Sequence, residues 1–218
     1  MHIMPNQNIL KQNKNFFLKI NSVVILLLLC MSPILASAAT VRVSLADDES
    51  EPNASAGTLA ISSGGRYTAF LSAATNIVTG DSNASNDVFV RDNLLGTTER
   101  VSVATDGTQQ NAGSSATRVV ITPDGRYVLF LSSGTNLVAG DTNGRVDAFL
   151  RDRQLGTTEM VSMADDESLG NGNVITGATL AMTPDGRYIV FQSGATNLVA
   201  GDSNGVTDVF LRDRTSGT

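Results

Sequence analysis

Apolar residues recur at every second position in short bursts, each burst closed by a cluster of turn-forming residues, and β-branched side chains are frequent among them. That period puts alternate side chains on opposite faces of strands and does not suit helices. In the middle third of the chain it predicts four strands, at about 118–122, 127–132, 147–152 and 159–163. Thr122-Pro123-Asp124-Gly125 joins the first two, with Pro at the second position of a turn and Gly at the fourth, so a tight hairpin is expected there.

The pattern then repeats. Tyr67, Tyr127 and Tyr188 stand 60 and 61 residues apart, and the other landmarks keep step with them. Gly65-Arg66-Tyr67 returns at 125–127 and 186–188, and Thr-Asn-Ile/Leu-Val stands at 75–78, 135–138 and 196–199. Arg91-Asp92, Arg151-Asp152 and Arg212-Asp213 close the units, each followed by Gly-Thr at 96–97, 156–157 and 217–218. Three copies are therefore read, at about 45–102, 103–162 and 163–218. Four short antiparallel strands per copy with no helical stretch describe one blade of a β-propeller. The predicted fold class is all-β, three four-stranded blades that form a partial propeller or half of a six-bladed ring. A β-solenoid or a plain sandwich would use similar patterning, but long four-strand repeats suit radial packing better.

The first 38 residues break this pattern. Lys11, Lys14 and Lys19 precede an unbroken apolar run of nine at 23–31, and Ala36-Ser37-Ala38 is a small-x-small cleavage site. Nine helical residues rise about 14 Å, half of a bilayer core, so the run reads as a cleaved signal (1–38) rather than an anchor. The expected product, 39–218, is secreted or periplasmic. Cleavage would remove every Lys, the only His (His2) and the only Cys (Cys30) from a chain with no Trp, leaving 12 Arg against 21 Asp and Glu, a net charge of −9. Those absences exclude a Ser/His/Asp triad, a Cys nucleophile, a Schiff-base Lys, a Walker loop and any His or Cys metal site. Outnumbered, dispersed Arg residues also argue against a nucleic-acid partner.

The run 121–130, Ile-Thr-Pro-Asp-Gly-Arg-Tyr-Val-Leu-Phe, and its counterpart at 182–191 resemble the Pro-Asp-Gly hairpin of the TolB-like β-propeller repeats, relatives of the WD-repeat propellers. The Gly-Asp-x-Asn segments and Arg-Asp-Arg resemble an exported bacterial subset of that family. The likeness covers residues 40–218 and implies the fold; its motifs build blades, so it implies little about function. The first copy departs from it, with Ser63-Gly64 in place of Pro-Asp, and a looser hairpin is expected there.

Candidate chemistry lies in the segment Asp-x-Asn-x-x-x-Asp: Asp81, Asn83 and Asp87, then Asp141, Asn143 and Asp147, then Asp202, Asn204 and Asp208. Two carboxylates and an amide oxygen in one turn are hard ligands of the kind Ca2+ takes. The opening matches an EF-hand loop, but position 12 (Asp92, Asp152 or Asp213) falls about 16 Å along the following strand and cannot close the same shell. Calcium at these nine residues, and plain turn hydrogen bonding by the same side chains, both remain open readings. Asp47-Asp48-Glu49-Ser50 recurs as Asp165-Asp166-Glu167-Ser168, and paired carboxylates could serve a glycoside hydrolase. Residues copied in every blade normally serve the blade, so no enzyme activity and no catalytic residue are expected. Arg91, Arg151 and Arg212 are expected to pair with nearby carboxylates.

The functional expectation is an exported, non-enzymatic binding module with a protein or carbohydrate partner and no membrane span after cleavage. Thr218 aligns with Thr97, just before a fourth strand, while residues 40–44 align with 98–102, a fourth strand with no repeat before it. Three blades are fewer than the four to eight that close a ring. Either a homodimer closes one, each 40–44 strand completing the other chain's last blade, or the natural protein is a longer propeller of which this chain is a piece.

Overall fold

The structure is a computed structural model that describes residues 40–114, 118–177 and 179–218. The signal reading of 1–38 lies outside them. Among the described residues there is no helix, and none long and apolar enough to cross a membrane. The described residues hold eleven strands in three antiparallel sheets, in chain order. The first holds β1 (Ala56–Ile61), β2 (Tyr67–Ser72), β3 (Asp87–Asp92) and β4 (Thr97–Arg100). The second holds β5 (Val120–Ile121), β6 (Tyr127–Ser132), β7 (Asp147–Asp152) and β8 (Thr157–Met160), and the third β9 (Ala181–Met182), β10 (Tyr188–Ser193) and β11 (Asp208–Asp213). Each is a meander of neighbouring strands, the geometry of propeller blades.

The hairpin turns form as their sequences require: Gly125 N–H donates to the Thr122 carbonyl at 2.9 Å with Gly125 at φ 74°. The first blade closes the same backbone turn, Gly65 N–H to the Ser62 carbonyl at 3.0 Å, so that hairpin is not looser in its backbone; what it lacks is the Asp124 side chain that accepts the Arg126 amide. The fourth strand starts two residues earlier than the pattern predicts. A turn capped by Asp152, whose Oδ1 accepts the Gln154 and Leu155 amides, hands the chain straight to Thr157, and the chain leaves the sheet after Val161 so that the Ser162 hydroxyl can turn inward.

Alternation gives each blade two apolar faces, and successive blades stack face to face. Ala69, Leu71, Val88 and Val90 of the first blade pack on Val119, Ile121, Val128, Phe130 and Phe149 of the second. Leu129, Leu131, Ala148 and Leu150 of the second meet Ile189, Phe191 and Phe210 of the third. The Phe pairs stack within each blade at 5.7, 6.0 and 5.8 Å. Tyr67 lies flat on the second blade's turn, so a Cβ on Gly125 would come 2.1 Å from its ring; Tyr127 does the same to Gly186. Arg153 and Arg214 reach back over those rings, at 4.6 and 4.9 Å from the ring centres.

Candidate functional site

Most repeated polar residues are committed to the blades. Arg66, Arg126 and Arg187 fork onto Asp92, Asp152 and Asp213, 26 residues on in every copy, with closest contacts of 2.8, 2.7 and 2.7 Å. Arg66 holds the Asp92 carboxyl below its ordinary value, as Arg187 does Asp213. Position 12 of each acidic segment is thus occupied elsewhere, as its spacing requires. This fork went unread in the sequence, although the constant separation of 26 was its signal. The Thr-Asn pairs likewise lock onto Asn53, Asn111 and Asn171: Asn111 Oδ1 accepts the Thr135 amide, and Asn136 Oδ1 accepts the Asn111 amide.

Arg91 and Arg212 do pair with carboxylates, Glu49 and Glu167, and both also donate to a carbonyl of the loop before their blade, Ala46 or Ala164. Arg151 does not pair this way: Gly107 stands where the other loops have Glu, and the guanidinium donates to the Ala104 and Gly156 carbonyls and the Thr158 hydroxyl. Glu49 and Glu167 adopt φ of 65° and 62°, the left-handed region that Gly107 occupies freely at 85°. Their Asp neighbours, Asp48 and Asp166, accept the Ser50 and Ser168 amides.

The three acidic segments occupy the turn that leads into the third strand of each blade, but they are not equivalent. The Asn is a turn former in all three: Oδ1 of Asn83, Asn143 and Asn204 accepts the amide of Ser85, Arg145 and Val206. The last Asp of the first two is buried beside the outgoing loop, where Asp87 Oδ1 accepts from Ser102 and Gln110, and Asp147 Oδ1 from Ser162. In the first blade β4 delivers Arg100 into the segment, its Nη1 3.3 Å from Asp81 Oδ1 and 3.8 Å from Asp87 Oδ2. In the second, Met160 holds that place on β8; Asp141 and Asp147 lie close enough to repel, and Asp141 Oδ1 and Asp147 Oδ2 are enclosed without a hydrogen-bond partner. Burial pushes the carboxyls of Asp87, Asp141 and Asp147 above their ordinary value. In the third, both Asp202 oxygens lack a partner, Asn204 Nδ2 donates to Asp208 Oδ2, and the segment opens on a 420 Å³ cleft beside β11. Among the described residues no group of three or more His, Cys, Asp or Glu gathers as a metal cluster. Any cation here would rest on two carboxylates.

Neither a protein-family model nor a curated protein matches the chain. Among solved structures it is similar to TolB from Acinetobacter baumannii, with 17% identity over 76% of this chain and 31% of that one and a TM-score of 0.44. It is also similar to an oligogalacturonate lyase in complex with manganese, at 14% identity over 76% of this chain and 36% of that one with a TM-score of 0.42. A third is the β-propeller domain of the Trilobed protease from Pyrococcus furiosus, at 14% identity over 74% and 43% with a TM-score of 0.37. The chain spans less than half the length of each of these three.

Proposed function

We propose that the chain is an exported, non-enzymatic propeller module that works by binding, that a second copy of itself closes its open ends head to tail, and that a bound cation stabilises it. The observation that carries this reading is the contrast between inner and outer blade faces. On the last blade Val209 and Leu211 are 65% and 61% exposed, whereas their counterparts Val88, Val90, Ala148 and Leu150 are at most 1% exposed. On the first blade Leu59 and Ile61 are 73% and 61% exposed, against 5% and 8% for Val119 and Ile121. Exposed apolar strands of this kind, with the outer edge of β11 unpaired, are what a soluble protein covers.

The ends also match in charge. At the inner junctions Arg153 pairs with Glu99 at 2.6 Å, and Arg214 with Glu159. Asn93 stands where Arg153 and Arg214 stand, and Val41 aligns with Glu99 and Glu159, so joining the two ends strands no charge. In the single chain residues 41–45 belong to no strand. A non-catalytic role is supported by the engagement of the Asp-Asp-Glu-Ser carboxylates in loop hydrogen bonds and Arg pairs. Export is supported by the order of charged, apolar and small residues over 11–38.

Light scattering on the purified protein tests the assembly. The expected mass is that of two chains, reduced to one by Leu211→Arg with the strand signal in circular dichroism unchanged; a well-folded wild-type monomer at micromolar concentration overturns the second-copy reading and leaves further blades of a longer chain as the cover. Turnover of any chromogenic glycoside in a broad panel would overturn the non-enzymatic part.

A further inference from the structure

The three acidic segments share one scaffold and meet different fates, which makes the first a guide to the second. In the first blade a cationic nitrogen of the chain itself sits between Asp81 Oδ1 and Asp87 Oδ2. One repeat later the same two oxygens, Asp141 Oδ1 and Asp147 Oδ2, are enclosed with neither a hydrogen bond nor a cation beside them: Met160 replaces Arg100, and Leu169 replaces Gln109, whose amide donates to Asp81 Oδ1 at 3.0 Å, while Asp87 Oδ2, itself without a hydrogen bond, keeps only the Arg100 charge 3.8 Å away. Their side chains are deeply buried, Asp141 being 6% exposed and Asp147 1%. Buried carboxylate oxygens without a partner are costly, and two facing the same place compound the cost. Asn143 offsets it only in part, its backbone N–H bearing on Asp141 and its amide group on Asp147: that amide donates to the Gly170 carbonyl at 3.2 Å, its oxygen accepts the Arg145 amide, and the Ser162 hydroxyl is already given to the other oxygen of Asp147.

We propose that the middle blade binds one divalent cation of the hard, oxygen-seeking class to which Ca2+ belongs, between Asp141 Oδ1 and Asp147 Oδ2, in the place where the first blade puts its own Arg100. The inference deepens the cation part of the reading above and rests on it, replacing three equivalent sites with one. Asn143 is the one donor that bears on both carboxylates and it leaves Asp141 Oδ1 and Asp147 Oδ2 without a hydrogen bond, so a cation or a proton is what would satisfy them, and a single proton would neutralise one charge of two. Hard oxygen ligands favour Ca2+ or Mg2+ over the softer metals. With two protein carboxylates and water filling the remaining positions, the affinity expected is that of extracellular modules, with Kd about 10⁻⁴–10⁻³ M. The first segment is excluded because Arg100 fills it. The third is excluded because, although both Asp202 oxygens are enclosed without a partner, Asn204 takes Asp208 Oδ2 and so removes the second carboxylate oxygen an ion would bridge to; there the residue aligned with Arg100 is Arg42, which pairs with Glu51 in the single chain.

The test uses the full chain in CaCl2 or in chelator, read by calorimetric titration and by thermal melting, with Met160→Arg and Asp141→Asn as variants. Met160→Arg supplies the first blade's cation, though not the Gln109 donor that Leu169 replaces, and stands as the second variant if Asp141→Asn does not fold. One Ca2+ per chain is expected, with Tm raised by about 5–10 °C at a hundredfold excess over Kd. Both responses should vanish in either variant, and Met160→Arg should raise the chelated Tm by itself. Absence of any response in the wild type at 10 mM CaCl2 overturns the proposal and leaves a shared proton as the occupant. A response undiminished in Met160→Arg, or three equal ions per chain, overturns it as well. Light scattering on the same samples separates the readings: a dimer that gives neither titration heat nor a Tm shift with Ca2+ sinks this site and not the assembly.

Discussion

The first and second blades are nearly the same object, with matching strands, matching Arg–Asp forks and stacked Phe pairs, yet they differ in what lies before them and in what fills their acidic turn. The first carries no Tyr ring on its Gly65 turn, and its Cβ would meet only the tip of Ile61, at 3.9 Å; the second is overlain by Tyr67. The first neutralises its two buried carboxylates with Arg100, and the second leaves them to Met160. One backbone can therefore carry identical motifs with different energetic meaning, because the meaning depends on the neighbour that the sheet register supplies.

The strongest way to sharpen that contrast is to give both turns a methyl group. In Gly125→Ala the Cβ would clash with a packed ring while the backbone stays at φ 74°, so a loss of more than about 4 kcal/mol is expected in denaturant unfolding. Gly65→Ala, at φ 77° with only ordinary contact to Ile61, should lose only about 1–2 kcal/mol. Equal losses would show that Tyr67 does not hold the two blades together.

Exchanging the acidic turns comes next. Arg100→Met should convert the first blade into the second, leaving Asp81 and Asp87 buried without their cation, at a cost of about 3 kcal/mol near neutral pH. If urea midpoints of this variant and the wild type coincide, Arg100 is not the neutralising group.

The pH dependence of Met160→Arg against the wild type, both in chelator, gives a smaller and more specific signal. Burial raises the carboxyls of Asp141 and Asp147 in the folded protein, so between their unfolded and folded values the native state holds more protons than the unfolded one. Stability from these two groups therefore falls as pH rises through that window above 3.8 and is restored as pH drops below it. The Met160→Arg advantage should be greatest near pH 7 and shrink toward pH 4. Asp92 and Asp213 act in the opposite sense, since Arg66 and Arg187 lower them and their contribution is lost only below 3.8; they cancel in the comparison. A Met160→Arg advantage independent of pH would mean that the arginine acts by packing alone.

The smallest effect concerns the loop that Gly107 closes in the second blade and Glu49 in the first. Glu49→Gly removes the left-handed strain of a non-Gly residue, about 1 kcal/mol, and with it the pair to Arg91, an exposed carboxylate on a buried guanidinium worth about as much. A net change within about 0.5 kcal/mol is expected by urea unfolding at low salt, turning stabilising in high salt where the pair is screened. A large loss in both conditions would show that Glu49 has a further role.

Local order was legible in the sequence because it is set by neighbours along the chain. A period of two places side chains on alternate faces, Pro and Gly set the hairpin torsions, and Ser62, Thr122 and Thr183 each occupy the position whose hydroxyl accepts the Tyr amide. The repeat made three blades readable and singled out the nine Asp and Asn residues. It could not tell them apart, since Asp81-x-Asn83 and Asp141-x-Asn143 differ in nothing that a motif records. What separates them is a residue on the adjacent strand, Arg100 or Met160, brought alongside by the pairing of β3 with β4 and of β7 with β8, together with one from the loop beyond it, Gln109, which donates to Asp81, or Leu169, which cannot donate. The same holds for Arg66 and Asp92, joined across one sheet, and for Val209 and Val88, alike in sequence and opposite in exposure. Charge compensation and burial belong to the surroundings of a residue, and in a sheet protein those surroundings come from strands tens of residues away, so only the tertiary structure could decide them.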